Sequence, residues 1–492
     1  MFIAIDIGTS SIKIILSNSN GEIVKSFRDE IPLYISQQGA AEHSPNEIYQ
    51  LVLKGVKSVV KGFESSIEAI VFSTYLHGLG ILDVGFNPIS NILTHLDSRA
   101  GKVQGLLEEY GVELYRRTGC PPLFIYPIAK ILWLQKTGGL DIKYISFLKD
   151  YLIYRFTSQK FFTVDYGVAS GSGLLNIYSL RWDDYALGVA GVDEKMLPEV
   201  VEGAKVLEYM SFPEIGLRDK VALVLGSFDG ALQNVGYSIY GDEAILNLGS
   251  TAVLRILSRD VILDRDRRMR FFCYYAADGY RVVGAASNNG MTALEWFRRV
   301  FIDNIEWSVI NSIVEDVELC SNNVVVLPFV AGERFPYRSP YLSYIVIGLG
   351  LAHEKKHVVR ASLEGIAFVL KAIAKALEEN GLSFTVAHCA GGGCSIESLV
   401  KIVSQSLCKS IVIYDDNIAR NASSLGGVVV AMKALGYGDS ISKILLDSIA
   451  RSKAKVVEPS KNLCLIYDKC FNRFEKLVEN IIEMLSPNGD KE

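Results

Sequence analysis

Short apolar runs, each closed by glycine and hydroxyl residues, alternate along this chain with stretches of helical spacing. Phe2 to Asp6 reads as a strand, Gly8-Thr9-Ser10-Ser11 as a turn, and Ile12 to Leu16 as a β-branched return strand with Lys13 outward. That is a glycine-turned hairpin. Pro45 to Gly62 carries helical spacing at Ile48, Leu51, Val52, Val56, Val59 and Val60, and Ala69 to Phe72 then forms a strand before the polar loop Ser73 to Gly78. Leu79 to Asp83 returns as a strand. Lys102 to Phe156 is mainly helical, broken at Pro121-Pro122 and Pro127, and Thr163 to Gly173 concentrates small residues where backbones approach closely. Val221 to Leu225 is a buried-looking apolar run that stops abruptly at Gly226-Ser227-Phe228-Asp229-Gly230.

The second half repeats the opening design. Ala244 to Leu257 places Gly249-Ser250-Thr251 between two strands, as Gly8-Thr9-Ser10 lies between the first two, which predicts two related domains facing one another across a cleft. Val324 to Phe329 predicts a strand, His353 to Glu379 a long helix, and Phe384 to Ala390 a strand leading through Gly391-Gly392-Gly393-Cys394-Ser395 into a helix over Ile396 to Leu407. Asp415 to Gly427 predicts another loop-to-helix junction, and the tail from Ser486 a frayed end. Strands alternating with helices make the class α/β.

Composition narrows the function. With 492 residues, 49% of them hydrophobic, the chain is long enough for several cores. Its 50 basic and 55 acidic residues give a net charge of −5 without a basic block, so nucleic acid is not an expected partner. No apolar run approaches the roughly 18 residues of a membrane span. The opening MFIAIDIGTSS lacks a basic leader region, and the expected location is cytoplasmic. The eight cysteines (Cys120, Cys273, Cys320, Cys389, Cys394, Cys408, Cys464, Cys470) form no C-x-x-C pair and are expected as reduced core residues.

Candidate chemistry gathers at strand ends. Asp229, flanked by glycines, caps the helix starting at Ala231 or serves as a catalytic carboxylate; residue type and position alone leave both readings open. Backbone N–H groups of the Gly8 turn, with the hydroxyls of Thr9, Ser10 and Ser11, can cradle phosphate, and Asp6 can hold a hydrated Mg²⁺. The run Gly391 to Gly393 before a helix suits a nucleotide. Asp97 and Arg99 equally suit a surface ion pair. Two stretches are set aside. His353-Glu354-Lys355-Lys356-His357 has the zinc-protease spelling without a third ligand at suitable spacing, and Asp264 to Arg270 reads as a solvated charged loop.

Taken together, these motifs resemble the FGGY family of carbohydrate kinases from Ile3 to about Gly436. DIGTSSIK (Asp6 to Lys13) and LNLGST (Leu246 to Thr251) are similar to its two phosphate motifs, and GSFDGA (Gly226 to Ala231) to the segment carrying the catalytic aspartate. VLPFVAGERFP (Val326 to Pro336), RASLEGIAF (Arg360 to Phe368), AGGGCSIESLVKIVSQSL (Ala390 to Leu407) and ASSLGGVVVA (Ala422 to Ala431) resemble further signatures. The chain departs from the pattern at Ser250, at Asn421, where many members carry glutamate, and at Leu342-Ser343, where Arg-Gly is usual.

The resemblance implies two actin-like, RNase H-like domains flanking a central ATP and sugar cleft, residues 1–239 for sugar and phosphate and 240–492 for adenosine. It implies ATP and Mg²⁺, with Asp229 as general base, Asp6 and Asp229 toward the metal, and a homodimer. ATP would meet Gly8, Thr9, Ser10, Ser11, Lys13, Gly249, Ser250, Thr251, Gly391, Gly392, Gly393 and Ser395. Tyr75, Leu76, His77 and Asp97 resemble the sugar loops of pentulose and gluconate kinases rather than the Arg-Glu pair of glycerol kinases, and Asn288 and Asn289 either touch sugar or cap the helix at Met291. Arg117 to Leu134, Ala169 to Leu187 and Gly284 to Trp296 lean toward gluconate, with xylulose or another pentulose close behind. A sugar acid needs a cation, and Lys13, Lys130 and Arg99 are the sequence candidates. Actin-like ATPases acting as chaperones or regulators remain the alternative.

Overall fold

The computed structural model describes residues 1–138, 141–157, 160–444, 446–450 and 454–485. The tail from Ser486 lies outside them.

Phe2–Ile7 (β1), Ser11–Ser17 (β2), Ile23–Glu30 (β3), Ala69–Thr74 (β4), Val206–Phe212 (β5) and Leu217–Phe228 (β6) form one sheet in the order β5-β6-β4-β1-β2-β3. β1 runs parallel to β4, and β4 to β6, while β2 and β3 fold back antiparallel. Glu243–Leu248 (β7), Ala252–Ser258 (β8), Phe272–Tyr275 (β9), Arg281–Ser287 (β10), Val386–Ala390 (β11), Ser410–Ile413 (β12) and Lys455–Val457 (β13) form a second sheet ordered β9-β10-β8-β7-β11-β12-β13. The pattern recurs: β7 and β8 are an antiparallel hairpin, and β7, β11 and β12 are parallel. The echo read in the sequence is thus a duplicated five-strand topology.

Helices cover both sheets: Pro45–Val60 (α1), Pro127–Thr137 (α2), Lys149–Phe156 (α3), Asp229–Gly236 (α4), Met291–Phe301 (α5), Lys355–Glu378 (α6), Glu397–Leu407 (α7), Asp416–Ala434 (α8) and Lys461–Leu485 (α9). Ser44 caps α1 by accepting from Glu47 N, with Pro45 pre-set at the first helical position. Strand alternation then sorts β1. Ile3, Ile5 and Ile7 pack with Ile48, Val52 and Val56 of α1, whereas Phe2 and Ala4 face the larger core that continues into the second sheet. A period of two puts Asp6 on that inner side.

Three sequence readings are corrected here. Six of the eight cysteines pair as Cys320–Cys470, Cys389–Cys394 and Cys408–Cys464, and only Cys120 and Cys273 are buried thiols. Pairing of this kind depends on tertiary proximity that spacing does not encode. The charged loop at Asp264 is half internal, because buried Arg270 bonds Asp264 at 2.8 Å and also reaches Glu379. The long helix expected from His353 begins at Lys355, with Glu354 as its N-cap and His357 closing a capping box, and the His353 and His357 rings meet edge-on at 5.2 Å. Among the described residues no cluster of three or more His, Cys, Asp or Glu could hold a metal, and no helix is long and apolar enough to cross a membrane.

α4 and α8 join the two halves at a crossing made by glycines. A β-carbon added at Gly236 would lie 1.9 Å from Ala422 O, and one at Gly426 would lie 1.9 Å from Leu232 O. Backbone therefore meets backbone. Gly426→Ala is expected to destabilise the protein by about 1–3 kcal/mol through forced separation of the helices, read as a lower denaturation midpoint; an unchanged midpoint would contradict the close crossing.

Candidate active site

β6 is bulged just before it delivers Asp229. Its register against β4 shifts between Val224 and Ser227, and Gly226 lies there at φ +70°, where a β-carbon would come within 2.0 Å of Phe72 O. Glycine is required on both counts. The bulge frees carbonyls from the ladder, and a buried ammonium takes them up: Lys149 Nζ donates to Leu225 O at 3.1 Å and Ser227 O at 2.8 Å, and pairs with Asp165 at 2.7 Å. Neither Lys149 nor Asp165 was singled out in the sequence; the one signal was Lys149-Asp150 interrupting an apolar run. Gly167 lies alongside, where a β-carbon would meet Ser227 Oγ at 2.2 Å, as the dense Thr163 to Gly173 stretch predicts.

Asp229 is the first residue of α4. Phe228 is the N-cap, and Asp229 Oδ1 accepts from Gly230 N at 2.6 Å, so the carboxylate does not cap a helix beginning at Ala231. Burial and then the charge of Asp6 push its pKa up to about 6, against the pull of Arg255, Gly230 N and Lys13. Asp6 is buried, accepts from Ser73 Oγ at 2.8 Å, and is itself raised by burial against the opposing Lys13. Lys13 is half-buried instead of outward, and its Nζ donates to Arg420 O of α8 at 3.2 Å. Ser423, also on α8, donates to Asp229 O at 3.2 Å. Asp6, Lys13 and Asp229 thus form one charged group beside the Gly8 to Ser11 turn, closed by Gly8 N donating to Ser11 O at 3.0 Å.

The second turn assembles with the glycine run. Gly249 N donates to Thr251 O at 3.1 Å, while Met291 N and Gly290 N of the α5 entrance donate to Gly249 O and Ser250 O at 2.8 and 3.1 Å. Gly391, at φ +90°, approaches Leu248 so closely that a β-carbon would lie 2.7 Å from its carbonyl oxygen, and one at Gly393 would be 2.7 Å from Leu248 Cβ. The Cys389–Cys394 disulfide ties β11 to the far side of the run. Gly391, Gly392 and Ser395 remain exposed.

The expected sugar residues divide. His77, at φ +68°, bonds Gly171 O through Nδ1 at 2.8 Å, and its ring meets Tyr126 edge-on at 4.8 Å and Tyr274 at 6.0 Å. Lys130 Nζ, fully buried, donates to His77 O, Leu93 O and Thr94 O at 2.5, 3.2 and 2.8 Å, bracing this loop, and burial pulls its pKa to about 7. Tyr75 turns inward, its hydroxyl 2.9 Å from His43 Nδ1, and Leu76 lies against Gly171. Asp97 is wholly buried instead of forming a surface pair: its oxygens accept from Ala41 N, Arg99 N and the Arg99 guanidinium. Asn288 and Asn289 do not cap α5, whose N-cap is Gly290; they hold the turn 331–333, with Asn289 Nδ2 donating to Gly332 O at 2.7 Å. Leu342 is buried core and Ser343 exposed.

Two sheets of matching topology, each opening on a glycine-turned hairpin, with Asp229 coupled to Asp6 beside the first turn, suit a phosphotransferase, and comparison with known proteins fixes the family. Models of the N-terminal and C-terminal domains of the FGGY family of carbohydrate kinases match residues 1–236 and 273–435, and the chain belongs to that family. It is 30% identical to a gluconokinase of Bacillus subtilis over 90% of this chain and 89% of the relative. A xylulose kinase of the same organism is 24% identical over 96% and 97%. A crystal structure of gluconate kinase from Lactobacillus acidophilus superposes with a TM-score of 0.92 at 26% identity, covering 98% of both chains, and a ligand-bound xylulose kinase from that organism with 0.91 at 26%, again covering 98% of both. The chain is a carbohydrate kinase with the two-domain actin-like fold, and the alternative of a chaperone or regulator without kinase activity is set aside.

The Lys149–Asp165 pair yields a stability test. Lys149→Met leaves a buried carboxylate and two bulge carbonyls without their donor, and is expected to cost about 3–5 kcal/mol; Lys149→Met with Asp165→Leu is expected to recover part of it. Chemical denaturation of the two variants checks this, and equal losses would argue against the pair.

Proposed function

We propose that this kinase transfers the γ-phosphoryl group of ATP to a primary hydroxyl of gluconate, with xylulose or another pentulose as the next candidate, and that Asp229 is the general base. The observation that carries the reading is a half-buried carboxylate, raised to about 6, at the end of a bulged strand and coupled to Asp6 beside the Gly8 to Ser11 turn. The gluconokinase relative, more similar than the xylulose kinase, supports gluconate.

In-line phosphoryl transfer asks the protein mainly for positioning and charge stabilisation. The N–H groups and hydroxyls of Gly8 to Ser11 on one side and Gly249 to Thr251 on the other would grip the polyphosphate. Exposed Gly391, Gly392 and Ser395 would admit the adenosine against backbone. The sugar would lie along the His77 loop with its reacting hydroxyl at Asp229, which accepts the proton as the oxygen attacks phosphorus. Lys149 and Arg255 hold the carboxylate's surroundings fixed during this transfer. Asp6 and Asp229, two carboxylates close enough for one to raise the other, fit a divalent cation; Mg²⁺ bound there would supply neutralising charge to the transferred group. Residues 1–239 and 240–492 would close on one another around both ligands, excluding water as a competing acceptor.

Asp229→Asn is expected to lower gluconate-dependent ADP formation by about 10²- to 10⁴-fold, measured in a coupled assay across gluconate, xylulose, ribulose and glycerol. Wild-type ATP hydrolysis at one rate whatever sugar is supplied would defeat the proposal. A base must be ionised to act, so with a raised folded-state pKa kcat/KM should be level above pH 6 and fall about tenfold per unit below about 6. A profile flat down to pH 4.5 would remove Asp229 from that role.

A further inference from the structure

The sugar-acid reading leaves a carboxylate to be neutralised, and the three cations expected from sequence are already spent. Lys13 stands beside Asp6 and Asp229 at the phosphate end and donates to Arg420 O. Lys130 uses its ammonium hydrogens on three backbone carbonyls. Arg99 is bound by Asp97 and Glu42 and lies over Trp133.

A fourth cation is not spent. Arg334, half-buried in the turn that follows the strand Val325–Pro328, donates only through Nε, to Ala286 O at 2.5 Å. Among the described residues its two terminal nitrogens make no hydrogen bond and its guanidinium no ion pair. Neighbouring Glu333 does not neutralise it, because that carboxylate accepts from Ser287 Oγ, Asn289 Nδ2 and the backbone N–H groups of Asn288, Arg334 and Phe335.

The Arg334 charge is felt at His77 and His95, and ring contacts tie its turn to the His77 loop. Phe335, the next residue, meets Phe272 at 6.0 Å; Phe272 stacks on Tyr274 at 4.2 Å; and Tyr274 bonds Tyr126 through the hydroxyls at 2.5 Å while touching His77. Tyr274 also meets Phe228, the residue before Asp229, at 6.0 Å, so one aromatic cluster runs from Phe335, next to Arg334, past His77 to Phe228, next to Asp229. The groups facing Arg334 are neutral apart from Glu333. Burial holds the Tyr126 and Tyr274 phenols protonated, and burial, with the charges of Lys130 and Arg334, keeps the His77 and His95 imidazoles uncharged. A guanidinium whose nearest carboxylate, Glu333, is taken up by other donors is poorly compensated in such surroundings, and a carboxylate offering two oxygens to its fork would relieve that cost.

We propose that Arg334 receives the carboxylate of a 2-hydroxy sugar acid, and that His77 Nε2 accepts a hydrogen bond from the adjacent hydroxyl. The imidazole is set up for this role: Nδ1 donates to Gly171 O, so in the neutral ring Nε2 carries the lone pair, and it has no other partner among the described residues. Arg334 would then hold the acid end of the substrate, and the His77 loop its hydroxyls. This rests on the reading of the protein as a sugar-acid kinase.

The test compares gluconate with gluconamide, its uncharged counterpart, in the wild type and in Arg334→Gln and Arg334→Lys. Wild type should favour gluconate by about 10- to 10²-fold in kcat/KM, as a charged hydrogen-bonded pair provides, with the difference in KM. In Arg334→Gln the ratio should collapse toward one whatever happens to the two separate rates, and Arg334→Lys should lie between. A wild type that turns over both compounds equally, or a glutamine variant that keeps the wild-type ratio, overturns the role of Arg334 while leaving the sugar-acid reading intact. A wild type that phosphorylates pentuloses but neither gluconate nor gluconamide overturns both.

Discussion

The buried ammonium of Lys149 is the contact on which the site depends. A parallel strand that must stop, bulge and aim a carboxylate sideways leaves carbonyls without partners inside a core, and an unsatisfied buried carbonyl costs more than an ordinary hydrogen bond returns. Lys149 Nζ meets Leu225 O and Ser227 O on either side of Gly226, and Asp165 balances its charge. Without that arrangement the bulge would straighten to recover its ladder, and Asp229 would shift off the inner side of the sheet. The stability and the chemistry of the molecule therefore meet in one lysine that touches no substrate.

The duplicated topology explains why two halves with little sequence in common make one cleft. Each sheet starts with a hairpin whose turn projects from the end of its first parallel strand, where α/β sheets leave backbone groups unpaired. Each sheet repeats this hairpin, and the following parallel strands contribute what differs: β6 leads to a carboxylate, β11 to a glycine run.

Much of this was legible in the sequence because it is local. The two hairpins, the glycine run and the strand end at Asp229 announce themselves through glycine and alternation, and all appear within a few residues of where the pattern puts them. What stayed hidden depends on contacts between distant segments. Lys149 and Lys130 sit in apolar runs, where a lysine reads as an interruption until its carbonyl partners are known. Asp97 looked exposed because Ala41, whose N–H it accepts, is far away in sequence, as is Glu42, which also holds the Arg99 paired with it. Asn288 and Asn289 had a local explanation in the α5 entrance, yet they hold a turn more than forty residues on. Two of the three disulfides, too, join segments that only the fold brings together, 150 and 56 residues apart.

The glycine crossing of α4 and α8 has a mechanical consequence. Where helices interdigitate side chains, any rotation must unlock rotamers and repack them, and the joint behaves as a ratchet. At Gly236 and Gly426 there are no side chains to unlock, only two smooth backbones in contact. At those two positions the crossing acts as a plain bearing: it fixes how closely the helices approach without pinning them through interlocked side chains.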